Sequence, residues 1–233
     1  MRTNHLATAT GLFSTALLLA ASCATPGENV GQTGSGVFNI EQHPTAFLCP
    51  TDVRPGYARC HAKVRTDIMG TMTPQGFGPS DLVSAYKLPS SGGSGQTIAL
   101  VDANDDPNAE SDLAAYRSQY GLPPCTSASG CFKKVNQDGV EGSYPAPDSG
   151  WAGEISLDLD MVSAGCPSCK IILVEVNSAT TANLGAGVNT AASLGANAIS
   201  NSYGGPEDGT VESASTTYYN HPGILVVASN GDS

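Results

Sequence analysis

Basic side chains are scarce in this chain: ten Lys and Arg stand against 21 Asp and Glu, for a formal net charge of −11. A surface so short of cations argues against nucleic acid and anionic membranes as partners, because both are held by clustered Lys and Arg. The four histidines are scattered, which leaves no paired-ligand spacing for a zinc site. Charged residues make up only 13% of the sequence, and nothing in it resembles acidic low-complexity disorder. Long apolar runs are lacking too. The stretch 12–21 is far short of the roughly 20 residues that span a bilayer.

What is present points to export. Arg2 and His5 precede that short apolar run, and the small residues Ala20-Ala21-Ser22-Cys23-Ala24 close it, the pattern of a secretory signal peptide. Two forms of processing fit. Ser22-Cys23-Ala24 suits simple cleavage, while Ala20-Ala21-Ser22-Cys23 resembles a degenerate bacterial lipobox that would place a lipid on Cys23. The other six cysteines fall into three close couples, Cys49/Cys60, Cys125/Cys131 and Cys166/Cys169. In an oxidising compartment these read as local disulfides, although six cysteines allow other pairings. Cys166-Pro-Ser-Cys169 follows an expected helix instead of opening one, which favours a disulfide over a redox dithiol.

Residues 1–24 are thus expected as a signal peptide and 25–75, rich in Gly, Thr, Pro and Gln without periodicity, as a leader or short pro-segment. From residue 76 onward the pattern becomes regular. Apolar runs at 97–101, 131–135, 170–176, 198–202 and 224–228 alternate with helical stretches at 109–120, 150–164, 181–194 and 210–219. That alternation predicts an α/β fold, a parallel sheet with helices on both faces. Ligands in such sheets sit beyond the carboxyl ends of the strands, where Asp102, Asn201 and Asp232 fall.

The helix expected over 150–164 carries Ile155, Leu159 and Val162 on a core stripe, with Glu154, Asp158 and Met161 beside it. Asp148 or Ser149 can cap its start, and Gly165 with Pro167 stops it. Residues four apart meet on one helix face, with Cβ atoms about 5–6 Å apart, so Glu154 and Asp158 project together. A close carboxyl pair tends to share one proton, which makes a proton shuttle without histidine. The spacing alone also fits a solvated helix face.

Five segments together resemble the sedolisin family, serine-carboxyl peptidases on a subtilisin-like fold. Trp151-Ala-Gly-Glu154-Ile-Ser-Leu-Asp158-Leu-Asp160 is similar to the family's catalytic helix, and Ala228-Ser-Asn-Gly-Asp232-Ser233 to its oxyanion segment. The stretch 76–89 resembles the opening of the family's catalytic domain. Ile98-Ala-Leu-Val-Asp-Ala103 and Ala198-Ile-Ser-Asn-Ser-Tyr-Gly204 resemble its strand ends. The resemblance implies a subtilisin-like, C-terminally incomplete fold, with 76–233 as a partial peptidase domain. It also implies that Glu154 is the general base, that Asp158 orients and polarises it, and that a protonated Asp232 helps form the oxyanion hole. Asp102 occupies the place of the subtilisin catalytic Asp, but no His-Gly-Thr-His segment accompanies it, so it reads as a loop or cap residue. Asp160 reads as structural, Asn201 as a turn residue and His221 as a loop residue.

The family's nucleophile lies in a Gly-Thr-Ser motif. This sequence has Gly70-Thr71-Met72 and Gly209-Thr210-Val211 but no Gly-Thr-Ser. The expectation is therefore a secreted acid endopeptidase represented by its N-terminal part and inactive alone. The alternative is a non-catalytic peptide-binding module or decayed pseudo-peptidase. Calcium is expected for the complete family domain, with its ligands outside this sequence. The expected partner is a protein or peptide substrate, met by a monomer whose only membrane contact would be lipidation at Cys23.

Overall fold

The computed structural model describes residues 43–68, 74, 76–89, 92–207 and 211–230; the expected signal peptide at 1–24, Cys23 and Asp232 lie outside them. Three short strands come first, β1 (Thr45–Phe47), β2 (Arg59–Cys60) and β3 (Lys63–Arg65), followed by helix α1 (Pro79–Tyr86). Then β4 (Thr97–Ala103), α2 (Ala109–Gln119), β5 (Phe132–Asn136), α3 (Ser149–Gly165) and β6 (Lys170–Val176) alternate. The alternation continues through α4 (Thr181–Ser193), β7 (Ala198–Asn201), a two-residue strand β8 (Tyr203–Gly204), α5 (Val211–Tyr218) and β9 (Leu225–Ala228). The regular elements expected from residue 97 onward agree with these bounds to within about two residues, the usual uncertainty at element ends.

Five strands pair in parallel in the order β5-β6-β4-β7-β9. Period-two alternation divides their side chains between two cores. Ala99, Val101 and Ala103 of β4 join Val174 and Val176 of β6 against Leu184 and Val188 of α4. Leu100 joins Ile171 and Leu173 against Leu113 of α2 and Ile155 and Leu159 of α3. Each fully buried Leu or Ile contributes about 1.5–3 kcal/mol by leaving water. The chain starts at central β4, fills one side through β5 and β6, then crosses to β7 and β9. The carboxyl end of β4 therefore lies at the crevice where such sheets bind ligands.

The segment 43–67 has no regular pattern in the sequence, yet it is built into the same compact unit as the sheet. β1 pairs with β3, and β2 pairs antiparallel with β8, matching Arg59 with Gly204 and Cys60 with Tyr203. Disulfides join Cys49–Cys60, Cys125–Cys131 and Cys166–Cys169, the neighbour pairing expected from spacing.

Helix α4 approaches the sheet closely because it carries glycine at its point of contact. A Cβ on Gly187 would lie 2.5 Å from Val176 Cγ1 and 2.7 Å from Val101 Cγ1. Gly187→Val should therefore destabilise the fold by about 1–3 kcal/mol through overpacking, seen as a lower urea midpoint; an unchanged midpoint would contradict this packing.

Candidate functional site

Helix α3 sets the geometry. Asp148 caps it, its Oδ1 accepting from the backbone N–H groups of Gly150 (2.9 Å) and Trp151 (3.0 Å). Ile155 and Leu159 are buried in the core as the sequence stripe predicts, and Met161 is exposed. Glu154 and Asp158 follow the buried face: they are 2% and 7% exposed, so the solvated-face reading fails. Trp151 packs against Tyr203.

Asp102 is placed by the sheet. It has the parity of Leu100 on β4, so it points to the α3 side, and it stands in register with Glu175 of β6. The loop-or-cap reading of Asp102 is overturned: the residue lies within β4 and is fully buried. Neither of its carboxyl oxygens has a hydrogen-bond partner among the described residues. A carboxylate without donors in a dry site is costly, so the group holds its proton instead. Burial, then the nearby Asp158, Glu154 and Glu175, push its pKa well above the usual carboxylate range.

Asp158 receives one donor, the Ser202 hydroxyl, at 2.7 Å from its Oδ1. Its Oδ2 has none among the described residues. Burial raises its pKa to about 7, with Glu154 adding to the rise and Ser202 opposing it. Glu154 differs because its Oε2 accepts two backbone N–H groups, from His61 and Ala62, each at 2.6 Å. Burial still raises its pKa, while those two hydrogen bonds work in the opposite direction. Farther along the same side of the sheet, Lys134 lies 3.0 Å from Glu175 Oε1 and also contacts Asp105. Burial nevertheless pushes Glu175 up to about 8.

Of the three residues expected to act, the structure brings Glu154 and Asp158 together beside Asp102, while Asp232 lies outside the described residues. Asp160 interacts with Asp112 and Tyr116 of α2, away from this cluster. Asn201 is not a turn residue: it ends β7, donating from Nδ2 to Val227 O at 2.8 Å and accepting from the Tyr203 hydroxyl at 2.7 Å. His221 lies in the loop before β9, its Nε2 2.9 Å from Tyr218 O.

The sequence reading missed the donors. Ser202 lies inside the segment 198–204 with nothing in the sequence to mark it as a donor, and the His61 and Ala62 amides lie in the expected leader. The one available signal was the adjoining Cys60. Beyond the carboxyl ends of β7 and β9 a cleft of about 350 Å³ is lined by Arg59, His61, Gly204, Gly205 and Ser229 among others. The His61 ring faces it, with Nδ1 2.6 Å from Ser229 Oγ. Among the described residues no group of three or more His, Cys, Asp or Glu side chains could hold a metal ion.

No protein-family model matches the sequence. Kumamolisin from Bacillus sp. (strain MN-32) is 28% identical over 200 residues, covering 78% of this chain and 35% of the relative. The chain thus spans about a third of the length of that curated relative. The solved structure of Pseudomonas sedolisin, a serine-carboxyl proteinase complexed with two molecules of pseudo-iodotyrostatin, aligns at 18% identity with a TM-score of 0.43. That alignment covers 56% of this chain and 35% of that one.

The buried acids set a pH dependence. Asp158 has a folded pKa of about 7, above the ordinary value of about 3.9 expected when unfolded. Its stability contribution is therefore complete below about pH 4 and lost as pH rises through about 7. Thermal midpoints should fall between about pH 4 and 7, and Asp158→Asn should fall less steeply; a midpoint that rises over this interval would contradict the assignment. Over 78% of its length the chain is similar to kumamolisin, at 28% identity.

Proposed function

We propose that this chain carries the acid–base part of an exported serine-carboxyl endopeptidase that cuts proteins at acidic pH. The observation that carries the reading is the burial of Glu154 and Asp158 side by side against a third buried acid, Asp102. A solvated pair would stay charged, whereas a buried set can hold and pass protons.

Glu154 takes the proton of an attacking serine hydroxyl, and Asp158 orients and polarises it. A carboxylate works as a base only near its own pKa, so the operating range is acidic. Asp232, kept protonated, donates to the developing oxyanion. The 233 residues contain no Gly-Thr-Ser, so the reading assigns them base and polariser. It expects no cleavage from these residues without such a serine. Three disulfides support an oxidising, extracellular setting. Removal of residues 1–24 is the expected processing, with lipidation at Cys23 as the other form.

A peptide-binding module without cleavage is the second reading. It is favoured by the cleft of about 350 Å³ lined by Arg59, His61, Gly204, Gly205 and Ser229. The test uses a protein that includes a Gly-Thr-Ser segment. Glu154→Gln should lower acid-stage hydrolysis of a protein substrate by about 10²-fold or more while circular dichroism stays native. Full activity in that variant would refute the assignment of the base.

A further inference from the structure

The strongest feature outside the family motifs is the seating of the segment 48–62 against α3. Leu48 sits where the helix has glycines: a Cβ on Gly150 would lie 2.7 Å from Leu48 O, and one on Gly153 would lie 2.3 Å from Leu48 Cδ1. Glycine inside a helix costs roughly 1 kcal/mol relative to alanine, so the helix gives up intrinsic stability at the two points where this segment approaches. Leu48 N–H donates to Ala62 O at 3.0 Å, and Ala58 N–H to Ala179 O at 2.8 Å. The Cys49–Cys60 disulfide closes the loop, and both its cysteines belong to the core cluster that contains Trp151 and Tyr203. Cys60 is fully buried and Ala62 nearly so. Such a segment is built in, unlike a leader laid over a finished surface.

Its end meets the reaction site. Consecutive N–H groups, those of His61 and Ala62, converge on one oxygen of Glu154. Successive backbone N–H groups turned to a common point form an anion-binding nest. Hydrogen bonds to an ionised acceptor are about twice as strong as neutral ones. We infer that His61 and Ala62 are positioning residues of the site: their backbone N–H groups hold Glu154 as an oriented carboxylate, and the segment 48–62 remains part of the working protein. What Glu154 does once held rests on the peptidase reading; the hold itself does not.

The other titratable groups around Glu154 are Asp158 on α3, Asp102 on β4 and the His61 imidazole. Each could move a titration curve, so the test reads the two amides directly. In carbon-13 and nitrogen-15 NMR of the full chain, the amide protons of His61 and Ala62 should shift downfield with rising pH. Their midpoint should be the one shown by the Glu154 carboxyl carbon. Replacing the Ala62 amide by an ester, with lactic acid in place of alanine, removes one donor and leaves the side chain. The Glu154 midpoint should then move upward.

Amide shifts that ignore the Glu154 titration would overturn the inference. So would an ester variant whose Glu154 midpoint is unchanged, or an acid-treated active protein whose mass shows that residues 48–62 have been removed. If Glu154→Gln leaves proteolysis intact but the amides track Glu154, the peptidase reading fails and the positioning role stands.

Discussion

Three acids share one dry seat at the carboxyl end of the central strand, and the site depends on how few donors reach them. Asp102 has no hydrogen-bond partner among the described residues, Asp158 has the Ser202 hydroxyl, and Glu154 has two backbone amides. That graded supply separates their proton affinities. Burial favours the neutral form of every carboxyl, and each donor offsets part of that effect. The least supplied group keeps its proton most firmly, and the best supplied becomes the carboxylate. A cluster ordered in this way sets one carboxylate beside acids that keep their protons, without histidine.

The fold creates the seat from two periodicities. Alternation along β4 sends Asp102 to the face that Leu100 occupies, and parallel register sets it beside Glu175. The four-residue spacing in α3 lays Glu154 and Asp158 along the neighbouring helix face. Ser202 follows β7, the next strand over. The remaining donors come from outside this alternating pattern, through a segment that two glycines admit to helix α3. Like charges crowded together oppose folding, so the arrangement is most stable where the acids are protonated.

Much of this was legible in the sequence. Apolar runs such as 170–176 and the stripe Ile155–Leu159 reflect burial on two faces of a parallel sheet, which leaves a strong periodic imprint. Glu154 and Asp158 were legible because helix spacing is local. Asp102 was misread because its burial depends on helix α3, which is remote in sequence, and not on its neighbours. Asn201 was misread because its side chain donates to Val227 O on β9, 26 residues away in sequence. The segment 43–67 was hidden because its strands are two or three residues long, too short for alternation to show. Backbone donors such as those of His61 and Ala62 leave no mark in side-chain chemistry.

The central claim is that the folded protein holds protons on carboxyl groups that would release them in water. Calorimetric unfolding at pH 6 in buffers of different ionisation enthalpy measures that difference directly. The account predicts net proton release on unfolding, reduced in Asp158→Asn. Net proton uptake, or none exchanged, would mean that these acids are charged in the folded state and would contradict the account.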